Sequence, residues 1–208
     1  MARCWQTLMT IKQSCIVHAG LAMILACGAP RDAAAQNSPP RVDHQRGAEL
    51  ALFGGAARVS GGVRPSFGWS IAWLPSLRVA IEGSGAWLDE PGVDGFAGLI
   101  GPRIYLNTTG RAVTFVTIEA GLYHASVDSS HPDAADFYTD RTFPGAPVKA
   151  FNDFVAAFGG GVDMRLRGRL WVRPHVRVLT VVDGWKTHGA ALAGLHLSYK
   201  FGQPPSGP

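Results

Sequence analysis

His124 and Ser126 are the pair in this chain best suited to nucleophilic chemistry. A serine hydroxyl attacks when a histidine within hydrogen-bond reach takes its proton and a third group orients that histidine. Residues two apart share a face of a β-strand, so a strand here presents both on one side. A second group, His131, Asp133, Asp136, Asp140 and Lys149, lies between Ser126 and Ala150 among prolines and aromatics. Carboxylates and a histidine can ligate a hard cation or zinc, but this spacing matches no metal-binding loop pattern. No P-loop, dinucleotide fingerprint, zinc-ligand pair or nucleophile elbow occurs. The third group is larger: Arg78, Glu82, Arg103, Glu119, Asp163, Arg165, Arg173, His175, Arg177, His196 and Lys200. Each stands at a polar position in a segment whose alternate residues are apolar.

Those segments define the elements that must position the chemistry. From Gly47 to Phe201 the sequence alternates with period two and is broken by Gly, Pro, Asn and Asp turns, the pattern of half-buried strands. Val63, Phe67, Trp69, Ile71 and Trp73 oppose Arg64, Ser66, Gly68, Ser70 and Ala72. Leu77, Val79, Ile81 and Trp87 oppose Arg78, Ala80, Glu82, Ser84 and Ala86. Six further segments repeat the pattern, and the first, with Leu50 and Leu52 opposite Glu49, is the least regular. A helix has period 3.6 and could hold neither face together. Eight antiparallel strands are predicted, closed into an up-and-down barrel. The connections alternate. Pro75-Ser76, Asn107 to Gly110 and Arg167-Gly168 are tight and follow even-numbered strands. The links Ser126 to Ala150, Asp89 to Gly92 and Asp183 to Thr187 follow odd-numbered strands and are expected to be longer, as outer loops are.

Composition narrows the class. Apolar residues make up 47% of the 208 and charged ones 16%, yet no run of about 18 apolar residues is present. A transmembrane helix is therefore not expected. Residues 1–35 read as a secretory leader, with basic Arg3 and Lys12, the apolar run Ser14 to Ala26 and the small triplet Ala33-Ala34-Ala35. Cleavage after Ala35 leaves 36–46 as a short linker, 47–201 as the barrel and 202–208 as a polar tail. The alternative is lipoprotein processing at Cys27, preceded by Ile24-Leu25-Ala26. Cys4, Cys15 and Cys27 all lie in the leader, so no disulfide is expected in the mature chain. Removing the leader lowers the formal charge of +4 by two. Without clustered Lys and Arg, this excludes a nucleic-acid surface.

The apolar face is expected to meet lipid. The opposite face is mostly Gly, Ala and Ser, which suits a narrow interior. Trp73, Trp87, Tyr199 and Phe201 fall near strand ends, where interfacial girdles lie. The alternating runs reach about 9–11 residues, the length a tilted strand needs to cross a bilayer. A soluble barrel with its apolar face inward is the competing arrangement.

On these segments the chain resembles the small bacterial outer-membrane β-barrel proteins of the OmpA/OmpX type, from Gly47 to Phe201. Leu197, Tyr199 and Phe201 resemble the C-terminal assembly signal of that family, followed here by the extra residues Gly202 to Pro208. The resemblance implies location in the cell outer membrane, contact with outer-membrane lipid and recognition by the barrel-assembly machinery. His124 and Ser126 also invite comparison with barrel-embedded lipid A deacylases. That family's serine is usually followed by Asn, whereas Val127 follows here, and its pair lies closer to the C-terminus.

The expectation is thus an integral outer-membrane barrel with a structural or surface-interaction role through its extracellular loops, monomeric, with no catalytic residues, metal or cofactor. Its partner beyond the membrane, extracellular or periplasmic, is not identified by the sequence. Arg78, Glu82, Arg103, Glu119, Asp163, Arg165, Arg173, His175, Arg177 and His196 are expected to fill the lumen as a charge network. Counting from the turns puts Glu82, Arg103, Asp163, Arg173 and His196 at one depth and Glu119 with Arg177 at a second. The alternatives are a narrow, mildly cation-repelling conduit for small solutes and a lipid A-modifying enzyme.

Overall fold

A computed structural model describes residues 46–59, 62–110, 112–128, 131, 136–139, 142–143, 146–147, 150–184 and 186–202. The expected leader, most of the linker and residues 203–208 lie outside the described residues, as do all three cysteines. Eight strands close into one antiparallel barrel. They are β1 (Gly47–Val59), β2 (Gly62–Leu74), β3 (Val79–Glu90), β4 (Val93–Tyr105), β5 (Ala112–Val127), β8 (Ala150–Arg167), β9 (Leu170–Asp183) and β10 (Lys186–Phe201). Between β5 and β8 lie a single helical turn, α1 (Asp136–Thr139), and a two-residue pair, β6 (Thr142–Phe143) with β7 (Ala146–Pro147). Each barrel strand pairs with its chain neighbour, and β1 closes on β10 with Ala48 opposite Phe201 and Arg58 opposite Ala191. Closure supplies partners for backbone groups along both sides of every strand, which a lipid-exposed sheet edge would lack.

The alternation read from the sequence is the inside–outside pattern of these strands. Leu52, Val63, Phe67, Ile71, Trp73 and Ile118 are all more than half exposed, while Ser70, Glu82 and Arg103 on the other face are almost fully buried. The outward rows are largely apolar through the middle of the wall, and polar residues such as His124, Ser126 and Asn152 are exposed towards the rim that carries the long link. The strands run 12 to 18 residues, enough to span a bilayer at the usual tilt and project beyond it.

Two expectations about the links are corrected. The links after β3 and β9 are two residues each, because strand pairing continues through Glu90↔Val93 and Asp183↔Lys186. The chain reverses there over a glycine in the left-handed region, Gly92 at φ +69° and Gly184 at φ +55°, a geometry that lets a tight hairpin form without a longer loop. The long link 128–149 alone gives that rim its extra chain. Both ends of the barrel wall, Gly47 and Phe201, lie at the opposite rim with the links 75–78, 106–111 and 168–169.

Because the outward rows face lipid in this arrangement, Ile118→Arg, at mid-height on β5, is expected to destabilise the folded barrel by about 2–4 kcal/mol. Urea titration of the protein folded into phospholipid vesicles measures this, and an unchanged midpoint would contradict a lipid-facing wall.

Candidate functional site: the barrel interior

The interior is built in layers. At the rim carrying the termini, Ala72, Leu74, Ala80, Tyr105, Val113 and Phe115 pack into a small apolar floor, with buried Trp171 beside it. Above it, six charges come from six strands of the wall: Glu49 on β1, Glu82 on β3, Arg103 on β4, Asp163 on β8, Arg173 on β9 and Lys200 on β10. All are at most 2% exposed. Register places them together, since Lys200 stands opposite Glu49 across the closing seam and Arg103 opposite Ala80, two residues from Glu82.

The geometry is that of a closed ionic circuit. Arg103 gives Nη2 to Glu82 at 2.5 Å and Nη1 to Glu49 at 3.1 Å and to the Tyr105 hydroxyl at 2.9 Å. Arg173 gives Nε to Asp163 at 2.5 Å and an Nη2 to Glu49. The Lys200 ammonium reaches Asp163 at 2.9 Å and Glu49 at 3.5 Å while lying 3.9 Å over the Trp171 ring. Three carboxylates meet three cations, so the layer is neutral. One layer up, Arg177 pairs with Glu119 at 3.1 Å, and Ser84 bonds both. A charge taken from water into a narrow interior is costly unless it is paired and its hydrogen bonds are made. Arginine suits this work because its rigid fork serves several acceptors at once.

Of the residues counted to two depths along the sequence, Glu82, Arg103, Asp163 and Arg173 come together in the lower layer, with Glu49 and Lys200 added, and Glu119 meets Arg177 in the upper one. Arg78 is exposed in the turn before β3, and Arg165 is half-buried near the rim, its Nε on the Gly168 carbonyl at 2.8 Å. Neither joins the lumen network, because both stand where the wall ends and water is within reach of a long side chain. Glu49, which the sequence shows merely as a polar residue on the face opposite Leu50 and Leu52, is instead a hub touching Arg103, Arg173 and Lys200. The excess of bases that suggested a cation-repelling lumen disappears with these reassignments. His196 and His175 are buried beside the ions. His196 stacks on Phe53 with centroids 4.9 Å apart and meets His175 edge-on at 4.3 Å. A cavity of about 10 Å³ between Glu82, Thr117, Arg173, His175, Arg177 and His196 has room for about one water molecule.

The outer half of the lumen is apolar. Leu88, Leu99, Tyr123, Val155, Leu179 and Leu192 are among the buried residues that fill it. Its signal in the sequence is the weakening of alternation after Arg177, where Val178, Leu179, Val181 and Val182 put apolar residues on both faces. Two described residues of α1, Phe137 and Tyr138, lie at the mouth. Tyr138 on α1 is 1% exposed, and its hydroxyl donates to Glu90 at 2.7 Å and lies 3.2 Å from the Tyr123 hydroxyl. His188 contacts the same Glu90 at 3.0 Å, and Phe137 stacks on the His188 ring at 5.2 Å. Burial, then the neighbouring Tyr123 and Glu90, holds the Tyr138 hydroxyl well above the ordinary phenol range.

His124 and Ser126 face outward near the same rim and are both exposed. The His124 Nδ1 meets the Asn152 side-chain oxygen at 2.9 Å, the position a triad would give to a carboxylate. The loop residues His131 and Asp136 are described, Asp133, Asp140 and Lys149 are not, and among the described residues no cluster of three metal-ligating side chains forms.

An apolar wall around a neutral, filled interior is the inside-out arrangement of a membrane-spanning β-barrel. Solved structures similar to this chain include Neisserial surface protein A, at 13% identity and TM-score 0.49, covering 74% of this chain and 96% of that one. The N-terminal β-barrel domain of Pseudomonas aeruginosa OprF matches at 14% identity and TM-score 0.48, covering 74% and 100%. Ail, the attachment invasion locus protein of Yersinia pestis, matches at 10% identity and TM-score 0.41, covering 76% and 100%. No family model and no curated protein sequence matches the chain.

Arg173→Met is expected to cost about 3–5 kcal/mol, because it leaves Glu49 and Asp163 buried beside a missing cation. The urea midpoint in vesicles reads the loss, and a shift no larger than that of a surface substitution would refute the circuit. The docked link carries its own pH dependence. The protonated Tyr138 hydroxyl is the form the fold favours, so docking should be complete below the ordinary phenol pKa and weaken as pH rises above about 10. Limited proteolysis within residues 128–149 should accelerate there, and Tyr138→Phe should show accelerated cleavage already at neutral pH.

Proposed function

We propose that this chain is an integral protein of the bacterial outer membrane whose barrel is a sealed scaffold, presenting the link 128–149 at the cell surface for contact with an extracellular partner. The observation that carries this reading is the interior. Among the described residues, an apolar floor, a neutral ionic layer and an apolar upper half with Tyr138 at its mouth offer no continuous polar path for an ion. A conduit needs sites weak enough for its cargo to leave. Here each charge of the two ionic layers is held by an opposite charge from another strand. The rigid wall suits display, since binding residues concentrate on long loops held by a rigid scaffold.

The outward pair His124 and Ser126 has Asn152 rather than a carboxylate beside the histidine. Leu197, Tyr199 and Phe201 point outward at the end of the wall, where an assembly factor could read them before closure. Purified barrel reconstituted into planar bilayers is expected to show no unitary current steps. Steady openings in the intact protein would replace the sealed scaffold with a channel.

A further inference from the structure

The two rims of the barrel differ in charge. At the rim that carries both ends of the wall, Arg46, Arg78, Arg167 and Arg169 are exposed and Arg165 is half-buried. The carboxylates of that half, Glu49, Glu82 and Asp163, all turn inward and are consumed by the ionic circuit. Among the described residues no carboxylate is exposed at this rim. The opposite rim carries both signs, with Asp89, Asp94 and Asp128 exposed alongside Arg58 and Lys186. None of the five arginines is ion-paired among the described residues; Arg165 is turned to Gly168, and Arg169 reaches the Tyr199 hydroxyl at 3.4 Å.

The position of this rim matters as much as its sign. Trp73, Tyr199 and Phe201, all exposed, are the last outward aromatics before it; exposed Leu77 directly precedes Arg78, and exposed Leu166 lies between Arg165 and Arg167. Amphipathic aromatic rings settle at the boundary between acyl chains and headgroups. A guanidinium one to three residues beyond them, on a stem long enough to extend along the surface, therefore stands at headgroup level.

We infer that this arginine rim binds the phosphates of anionic phospholipid headgroups in the leaflet on the side of the two ends of the barrel wall, Gly47 and Phe201. The inference rests on the membrane reading above. A planar guanidinium matches phosphate oxygens with two parallel hydrogen bonds. In a zwitterionic lipid the neighbouring ammonium cancels the phosphate's attraction at longer range, so the rim distinguishes lipids by net charge. The attraction is confined to about a Debye length and is weakened by salt.

The test uses the full mature barrel folded into phosphatidylcholine vesicles with trace spin-labelled phosphatidylglycerol or phosphatidylcholine. The motionally restricted fraction of each label reports lipid held against the barrel wall. Phosphatidylglycerol is expected to be favoured by about threefold, and the preference to fall towards unity in roughly 0.5 M salt. The triple variant R78Q/R167Q/R169Q should lose the preference at low salt, while R58Q/K186Q at the other rim should keep it. Unheated gel mobility checks that both variants are folded. The inference is overturned if the wild type shows no preference, if the preference survives salt, or if the other rim's variant abolishes it equally. Absence of any restricted lipid would instead overturn the membrane reading, so the two failures are distinct.

Discussion

Arg173 stands at a point where the charges of four strands have to cancel. Its guanidinium touches Asp163 on β8, lies against Glu49 on β1, and approaches Glu82 on β3 within 3.7 Å. Neither the lipid outside nor the apolar floor below can solvate these groups, so each is tolerable only because the others are in place. That mutual dependence fixes more than local contacts. A strand slipped by one residue would turn its charge to the lipid and leave its partner alone inside, so the ionic layer and the alternation enforce the same register. Small residues make the layer fit. Gly161, for example, lies between the Phe115 ring and the Pro174 carbonyl, where a Cβ would collide with both.

The outer half of the interior uses different physics for the same end. Side chains of Leu, Val and Ala need no partners, so the lumen there is filled by shape alone, and polar groups reappear at the mouth. Glu90 at the mouth accepts from Tyr138 and contacts His188, and through them it ties the β3 rim to α1 and to β10. The covering segment is thus attached through one buried carboxylate and a set of stacked rings, while the floor and circuit below belong to the wall itself.

How much of this could be read in advance depended on whether a residue's surroundings were set by its own strand. Period-two alternation fixed the side on which Trp69, Ile81, Arg103 and Arg177 lie, because the pleat decides that locally. Counting from turns brought Glu82 level with Arg103 for the same reason. Arg78 and Arg165 were misplaced because a side chain's face says nothing about whether the wall still continues at its height. Glu49 was undervalued because its three cations come from strands more than 50 residues away in sequence. The link lengths after β3 and β9 were overestimated because Asp, Gly and Pro serve equally in long loops and in two-residue hairpins. Tyr138 was invisible as a cover, since burial of a loop aromatic is decided by where the link folds, not by its neighbours in the chain.

The seam between β1 and β10 joins the earliest and the latest parts of the wall. Glu49 bonds Arg173, 124 residues further along, and faces Lys200 just before the chain leaves the barrel. Until the final strand arrives, one of the acidic hubs of the interior has its lysine neighbour missing and Asp163 lacks the same ammonium. Membrane entry of a shortened polypeptide would therefore carry unbalanced ions into oil. The architecture doubles as proof-reading for completeness: only a polypeptide made through to its last strand can become neutral inside.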